Sequence, residues 1–383
     1  MALSFLTPKP DSGLGNIRTS PGDPSRNIDW VLLTVQGLLT VIGCFVIYSA
    51  SWTQVEDDPF SFVNRQVVFA IAACVVMFVV MSIDYGWFKE KAMVMYVATV
   101  ALLLLLLIMG FAQGLSRISF DLGPINFQPA ELAKFTTLIA LASYLADERS
   151  DEVSYPRFLG GLILVGIPAV LVIAQPDLGS ASVIVTIAMG VLLVAGAKGK
   201  YIALISILSL STVAATFAGG FVNRYQVTRL RVFFGQDVNE DSIYQVRNAI
   251  RAVGTGRITG KGWLQGPLTN GGDVPVMWAD FPFAAVGEQF GLVGCAVLLA
   301  LFVIALMRIW RIATLSRDLL GTYLCAGVFT MLLWQVFQNV GMTLGIMPVT
   351  GLPMPFISYG GSSLLTYFAM FGIVQSVHMR RMR

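Results

Sequence analysis

Four short strings hold most of the side chains that could move a proton or meet a phosphate. "GPINFQPAELAK" (123–134) carries Glu131 and Lys134, and "QPDLGSA" (175–181) carries Asp177. "WADFPFAAVGEQFG" (278–291) carries Asp280 and Glu288. "PVTGLPMPFISYGGSS" (348–363) is free of charge but offers the hydroxyls of Ser358, Ser362 and Ser363 beside Gly351, Gly360 and Gly361. A carboxylate can take a proton from a hydroxyl, lysine and arginine can neutralise a departing phosphate, and glycine lets a backbone approach a ligand closely. The single histidine, His378, lies near the basic C-terminus, so the commonest general base is missing from these strings. Cys44, Cys74, Cys295 and Cys325 sit in apolar stretches with no CxxC pair and read as small packing residues.

Each acid also has a structural explanation. Pro129 and Pro176 look like first-turn prolines, which would put Glu131 and Asp177 where a helix N-terminus favours negative charge by ~0.3–1 kcal/mol. Glu131 and Lys134 are three apart, the spacing of a local ion pair. Asp280 could cap the helix that Pro282 begins. Asp280 and Glu288, eight residues apart, would be ~12 Å apart along one helix, too far for a carboxylate dyad.

The elements that position these residues are membrane helices. With 56% hydrophobic and 12% charged residues and a mean hydropathy of +0.75 over 383 residues, the chain has more apolar surface than one soluble core could bury. The fold class expected is all-α, a polytopic membrane protein with about ten spans, near 28–51, 65–83, 92–111, 131–146, 158–175, 178–196, 200–218, 281–307, 320–345 and 362–378. Residues 1–27, rich in Pro, Gly and Ser, read as a disordered cytoplasmic tail, and 28–383 as a single transmembrane domain. Fifteen of the 25 Lys and Arg residues fall on one side if both termini are cytoplasmic. The four strings then all face outward, together with a long extracellular loop, 219–280, between the seventh and eighth spans. The inner loops contain no Walker or dinucleotide pattern, so no nucleotide or organic cofactor is expected and the substrate must arrive already activated. In the long loop, "SIYQVRNAIRAVG" (242–254) places Ile243, Val246, Ile250 and Val253 on one stripe and Arg247 and Arg251 away from it, ending at Gly254. Those arginines would face lipid headgroups, an anionic substrate or plain solvent. The gathered acids, Lys134 and the Ser and Gly loop predict a polar cavity open to the outside.

"INFQPAELAKF", "QPDLGSA", "GTGRITGKG", "ADFPFAAVGEQFGLVG" and "MPVTGLPMPFISYGGSSLL" resemble, in order and through all ten spans, the signature blocks of the SEDS family (shape, elongation, division and sporulation). The resemblance implies a peptidoglycan glycosyltransferase that polymerises lipid II outside the cytoplasmic membrane beside a class B penicillin-binding protein, with membrane lipids around it and no nucleic acid. It implies that Asp280 is essential and that Glu131, Lys134, Asp177, Ser358, Gly360, Gly361 and Ser362 occupy family site positions. Trp278 and Ala279 stand where many members have His-Thr, and Pro282 where a β-branched residue is usual. The chemistry implied needs a base, assigned to Asp280. It also needs positive charge for a pyrophosphate, from Lys134, from Arg247, Arg251 or Arg257, or from a bound Mg²⁺ or Mn²⁺ ion, and predicts inversion at the anomeric carbon. The string 338–353 leans to the RodA-type elongation enzyme, with an FtsW-type division polymerase or a lipid-linked saccharide flippase as the alternatives.

Overall fold

The computed structural model describes residues 27–53, 60–112, 118–121, 123, 126–147, 152–218, 240–272, 274 and 276–382. Residues 1–26 of the expected tail and 219–239 of the long loop lie outside the described residues. The ten expected apolar runs coincide with helices α1 (Trp30–Ser51), α2 (Ser61–Ser82), α3 (Tyr85–Ala112), α4 (Pro129–Ala146), α5 (Tyr155–Ala174), α6 (Leu178–Val194), α7 (Gly199–Ala218), α11 (Pro282–Thr314), α12 (Leu319–Thr343) and α13 (Gly361–Met379). Between α7 and α11 lie α8 (Glu240–Gly256) and the one-turn helices α9 (Pro267–Asn270) and α10 (Met277–Asp280). Among the described residues the all-helical expectation has one exception, a two-residue antiparallel pair of β1 (Phe120–Asp121) and β2 (Asn126–Phe127).

Six helices, α1, α2, α3, α5, α11 and α12, are long and apolar enough to cross a membrane. The runs expected for α4 and α13, 131–146 and 362–378, are the shortest of the ten for a physical reason. Fifteen of the 18 residues of α4 and 16 of the 19 of α13 are buried in protein, against five of 22 in α2, so they meet neighbouring helices instead of lipid. Glycines bring the helices close: a Cβ on Gly372 would lie 2.9 Å from the Met77 carbonyl of α2, and one on Gly43 of α1 would lie 2.3 Å from the Phe356 carbonyl.

One end of the bundle is tied by a buried polar knot. Asp29 caps α1 by accepting from the Leu32 N–H (2.9 Å) and pairs with Arg308 of α11 (2.5 Å). Its backbone exchanges two hydrogen bonds with the Gln375 amide of α13 (3.0 and 2.9 Å).

The helix expected over 281–307 is broken. Gly291 adopts φ 64°, ψ −159°, which interrupts the hydrogen-bond ladder inside α11. Every residue from Pro282 to Gln289 is buried, whereas Leu292, Val293, Val297, Val303 and Met307 are exposed apolar side chains, so only the part after the break has a lipid-facing surface.

Candidate active site

The four motif strings meet at the end of the bundle opposite the Asp29 knot. Where α4 and α6 begin, Asp177 is the N-cap of α6: its Oδ1 accepts from the Ser180 N–H (2.9 Å) and its Oδ2 from Gln128 Nε2 (2.9 Å). Asp177 is therefore one residue outside the helix and Pro176 precedes the cap, a correction to the first-turn placement. One carboxylate oxygen serves a cap and the other a cross-link, so Asp177 braces α4 against α6 at the site. Gln128 also donates its N–H to the Ser362 hydroxyl (3.2 Å), which donates to the Asn126 carbonyl (2.8 Å). On the other side Gln66 of α2 accepts from the Gly360 N–H (3.3 Å) and donates to the Ser358 carbonyl (3.4 Å). The Ser358 hydroxyl accepts from the Met354 N–H (2.8 Å), and a Cβ on Gly361 would lie 3.0 Å from the Phe69 ring. Ser358, Gly360, Gly361 and Ser362 thus shape the loop 348–363 and join it to α2 and α4.

Glu131 and Lys134 form the ion pair their spacing predicts, at 2.5 Å, in the first turns of α4. Their relative exposures are 2% and 0%, so this pair is enclosed rather than open to the exterior. Among the described residues Glu131 Oε2 has no hydrogen-bond partner.

Asp280 ends α10 and is partly exposed. The N-cap of α11 is Phe281 (φ −121°, ψ 42°), so the capping role considered for Asp280 falls to the next residue, and Asp280 and Glu288 do not share one helix. Three hydrogen bonds fix this corner to the loop 348–363. The Tyr359 N–H donates to the Trp278 carbonyl (3.0 Å), and Asn339 Nδ2 of α12 donates to the carbonyls of both Asp280 (3.0 Å) and Leu352 (2.9 Å). The Trp278 ring packs on Phe62 at 5.0 Å. Leu352 reaches α6, where a Cβ on Gly179 would come within 2.9 Å of it, so the contacts close into a ring through all four strings. Sequence reasoning missed Gln66, Gln128 and Asn339. Their signal is a polar amide inside an apolar or loop-adjacent run, which burial makes expensive without partners.

Glu288 has a structural task. Fully buried, its carboxylate accepts from the Leu268 N–H (3.0 Å), the Thr269 N–H (2.7 Å) and the Thr269 hydroxyl (2.5 Å), and so anchors α9 onto α11. The motif "GTGRITGKG" (254–262) fills the break at Gly291. Lys261 and Gly262 donate N–H groups to the carbonyls of Glu288 (2.9 Å) and Gln289 (3.0 Å). Leu292 and Val293 donate to the carbonyls of Arg257 (2.9 Å) and Ile258 (3.1 Å). An irregular backbone inside a membrane protein survives only where protein satisfies it, and here a second backbone segment does so.

The α8 helix runs to Gly256, two residues beyond the expected Gly254. Its buried face is Asn248, Ala249, Ala252 and Gly256, with Val246 and Val253 of the expected stripe half-buried beside it, while Ile250 is 42% exposed, which corrects the stripe at that position. Small residues win because α8 packs against backbone: a Cβ on Gly256 would lie only 1.8 Å from the Gly287 carbonyl. Arg247 and Arg251 point away from that face and are exposed, as is Arg257, which has φ 52°. Among the described residues no three His, Cys, Asp or Glu side chains gather.

Comparison with known proteins now bears on this geometry. The family model FtsW/RodA/SpoVE, described as "Cell cycle protein", matches residues 29–383. The chain belongs to this family. It is the SEDS family that the signature blocks resemble, and with six helices able to span a bilayer this member is a multi-pass protein of the cytoplasmic membrane. Among its relatives, a probable peptidoglycan glycosyltransferase FtsW of Geobacter metallireducens is 34% identical over 364 residues, covering 92% of this chain and 95% of the relative. The peptidoglycan glycosyltransferase MrdB of Escherichia coli is 30% identical over 361 residues, covering 93% and 94%. A solved structure described as "Structural coordination of polymerization and crosslinking by a peptidoglycan synthase complex" superposes with a TM-score of 0.74 at 27% identity, covering 92% of this SEDS chain and 98% of that one.

Proposed function

We propose that this SEDS protein is a peptidoglycan glycosyltransferase that polymerises lipid II at the outer face of the cytoplasmic membrane. The observation that carries the proposal is the position of Asp280: it lies off the helix cap, at the corner where α10, α12 and the loop 348–363 are pinned together. A carboxylate there is a base in a preorganised frame. A sugar hydroxyl on one substrate attacks the anomeric carbon of the other, the new C–O bond forms as the C–O bond to phosphate breaks, Asp280 takes the hydroxyl proton, and polyprenyl pyrophosphate leaves with its charge. One displacement inverts the anomeric centre. The exposed Arg247, Arg251 and Arg257 are the cations available to the pyrophosphate, and the enclosed Glu131–Lys134 pair supports the site from beneath.

The reading includes ten spans with both termini cytoplasmic, which puts the ring of motif strings outside, where no ATP is present. It also includes a class B penicillin-binding protein as partner, supported by the likeness to a complex whose description joins polymerization to crosslinking. A role in cell elongation is supported by the RodA-type character of 338–353. The test is Asp280→Asn, which keeps the shape and the backbone bonds but cannot take the proton. The purified variant is expected to melt within a few degrees of wild type and make no glycan from lipid II. Polymer formation by the folded variant overturns the base assignment.

A further inference from the structure

We infer that Asn339 is a positioning residue for the polymerase reaction, a clamp that holds Asp280 to the loop 348–363. The inference rests on Asp280 being the base.

The need for a clamp comes from the backbone. Asp280 is the last residue of a one-turn helix, Pro282 two residues on has no N–H to offer, and the Ala284 N–H is used by the Phe281 carbonyl (3.0 Å). Asn339 Nδ2 fills that position, and its second hydrogen goes to Leu352, so one planar amide joins two chain segments that share no ladder. The side chain is fully buried, which keeps water from competing for either carbonyl. The α12 helix that carries it is a 25-residue rod, and Thr343 one turn on donates to the Asn339 carbonyl (2.8 Å), so the donor has a rigid base. Its neighbour Gln338 supplies the comparison. Gln338 Nε2 donates to the Pro348 carbonyl (3.3 Å) and the Thr350 hydroxyl (3.4 Å), tying down the same loop through contacts that do not include Asp280.

The experiment measures kcat and KM for lipid II polymerisation, normalised to the folded fraction, in the full-length protein and its Asn339→Asp, Asn339→Ser and Gln338→Ala variants. Asn339→Asp has no donor when ionised and a single O–H when protonated, so at least one carbonyl is released, and loss of about 1 Å of alignment is expected to lower kcat about tenfold to a hundredfold, with KM within about threefold. Asn339→Ser carries no charge and keeps one donor, so it decides the matter should the first variant fail to fold; a loss of about tenfold in kcat is expected. Gln338→Ala is expected to lower the melting temperature while kcat stays within about twofold. Wild-type kcat per folded molecule in the folded Asn339 variants, or an equal loss in Gln338→Ala, overturns the clamp. If Asp280→Asn is inactive while the Asn339 variants are not, the clamp alone fails; if Asp280→Asn polymerises, the base reading fails.

Discussion

The Glu131–Lys134 pair shows how much a local spacing can say and what it leaves out. Two residues three positions apart on one helix face predict contact, and contact is found at 2.5 Å. Enclosure is not written in that spacing; it follows from α4 being surrounded by α3, α5, α6 and α12. A buried pair broken on one side leaves an uncompensated charge, so Glu131→Ala is expected to cost about 3–5 kcal/mol of stability, whereas the double variant Glu131→Gln with Lys134→Met should lose much less. Denaturant or thermal titration in detergent of the two variants checks this, and equal losses would show that the charges are not coupled. The same contrast applies to Asp280. Its residue type and its place just before Pro282 were legible, but the residue that holds its carbonyl, Asn339, lies 59 positions away and no pattern in a single sequence links them.

At the scale of elements, the motif 254–262 explains itself only against α11. A Cβ would meet the Gly287 carbonyl at 1.8 Å from Gly256 and the Gln289 carbonyl at 2.1 Å from Gly260, yet nothing within 4 Å from Gly254. Gly254→Ala is therefore expected to be neutral or stabilising by about 0.4–1 kcal/mol, the usual gain at a compatible site. Gly256→Ala and Gly260→Ala are expected to release the segment from α11, seen as new protease cleavage between 257 and 270 and a lower melting temperature. Three glycines of one motif should thus behave differently. Periodicity predicted α8 correctly as a helix and its arginines as exposed, and Val246 and Val253 do pack on the core, but the closest contact is made by Ala249, Ala252 and Gly256 while Ile250 is exposed, because a face that packs on backbone selects Ala and Gly.

For the whole molecule, hydropathy located all ten helices because most of them keep a lipid-facing side, and it was weakest for α4 and α13, which do not. The orientation proposed from the basic residues has a direct check. Cysteines placed by Lys198→Cys, after α6, and Gly271→Cys, beside the capped α9, should react with a membrane-impermeant maleimide from opposite faces, the second from outside. Labelling of both from one face would overturn the topology. The buried knot at Asp29 adds a mechanical consequence. It joins the feet of α1, α11 and α13, and two of these rods carry site loops at their far ends. Any widening of the mouth is then a splay about a fixed foot. Over the 19 residues of α13 the lever is about 28 Å long, so a tilt of about 5° displaces its outer tip by roughly 2.5 Å, close to the width of one water molecule.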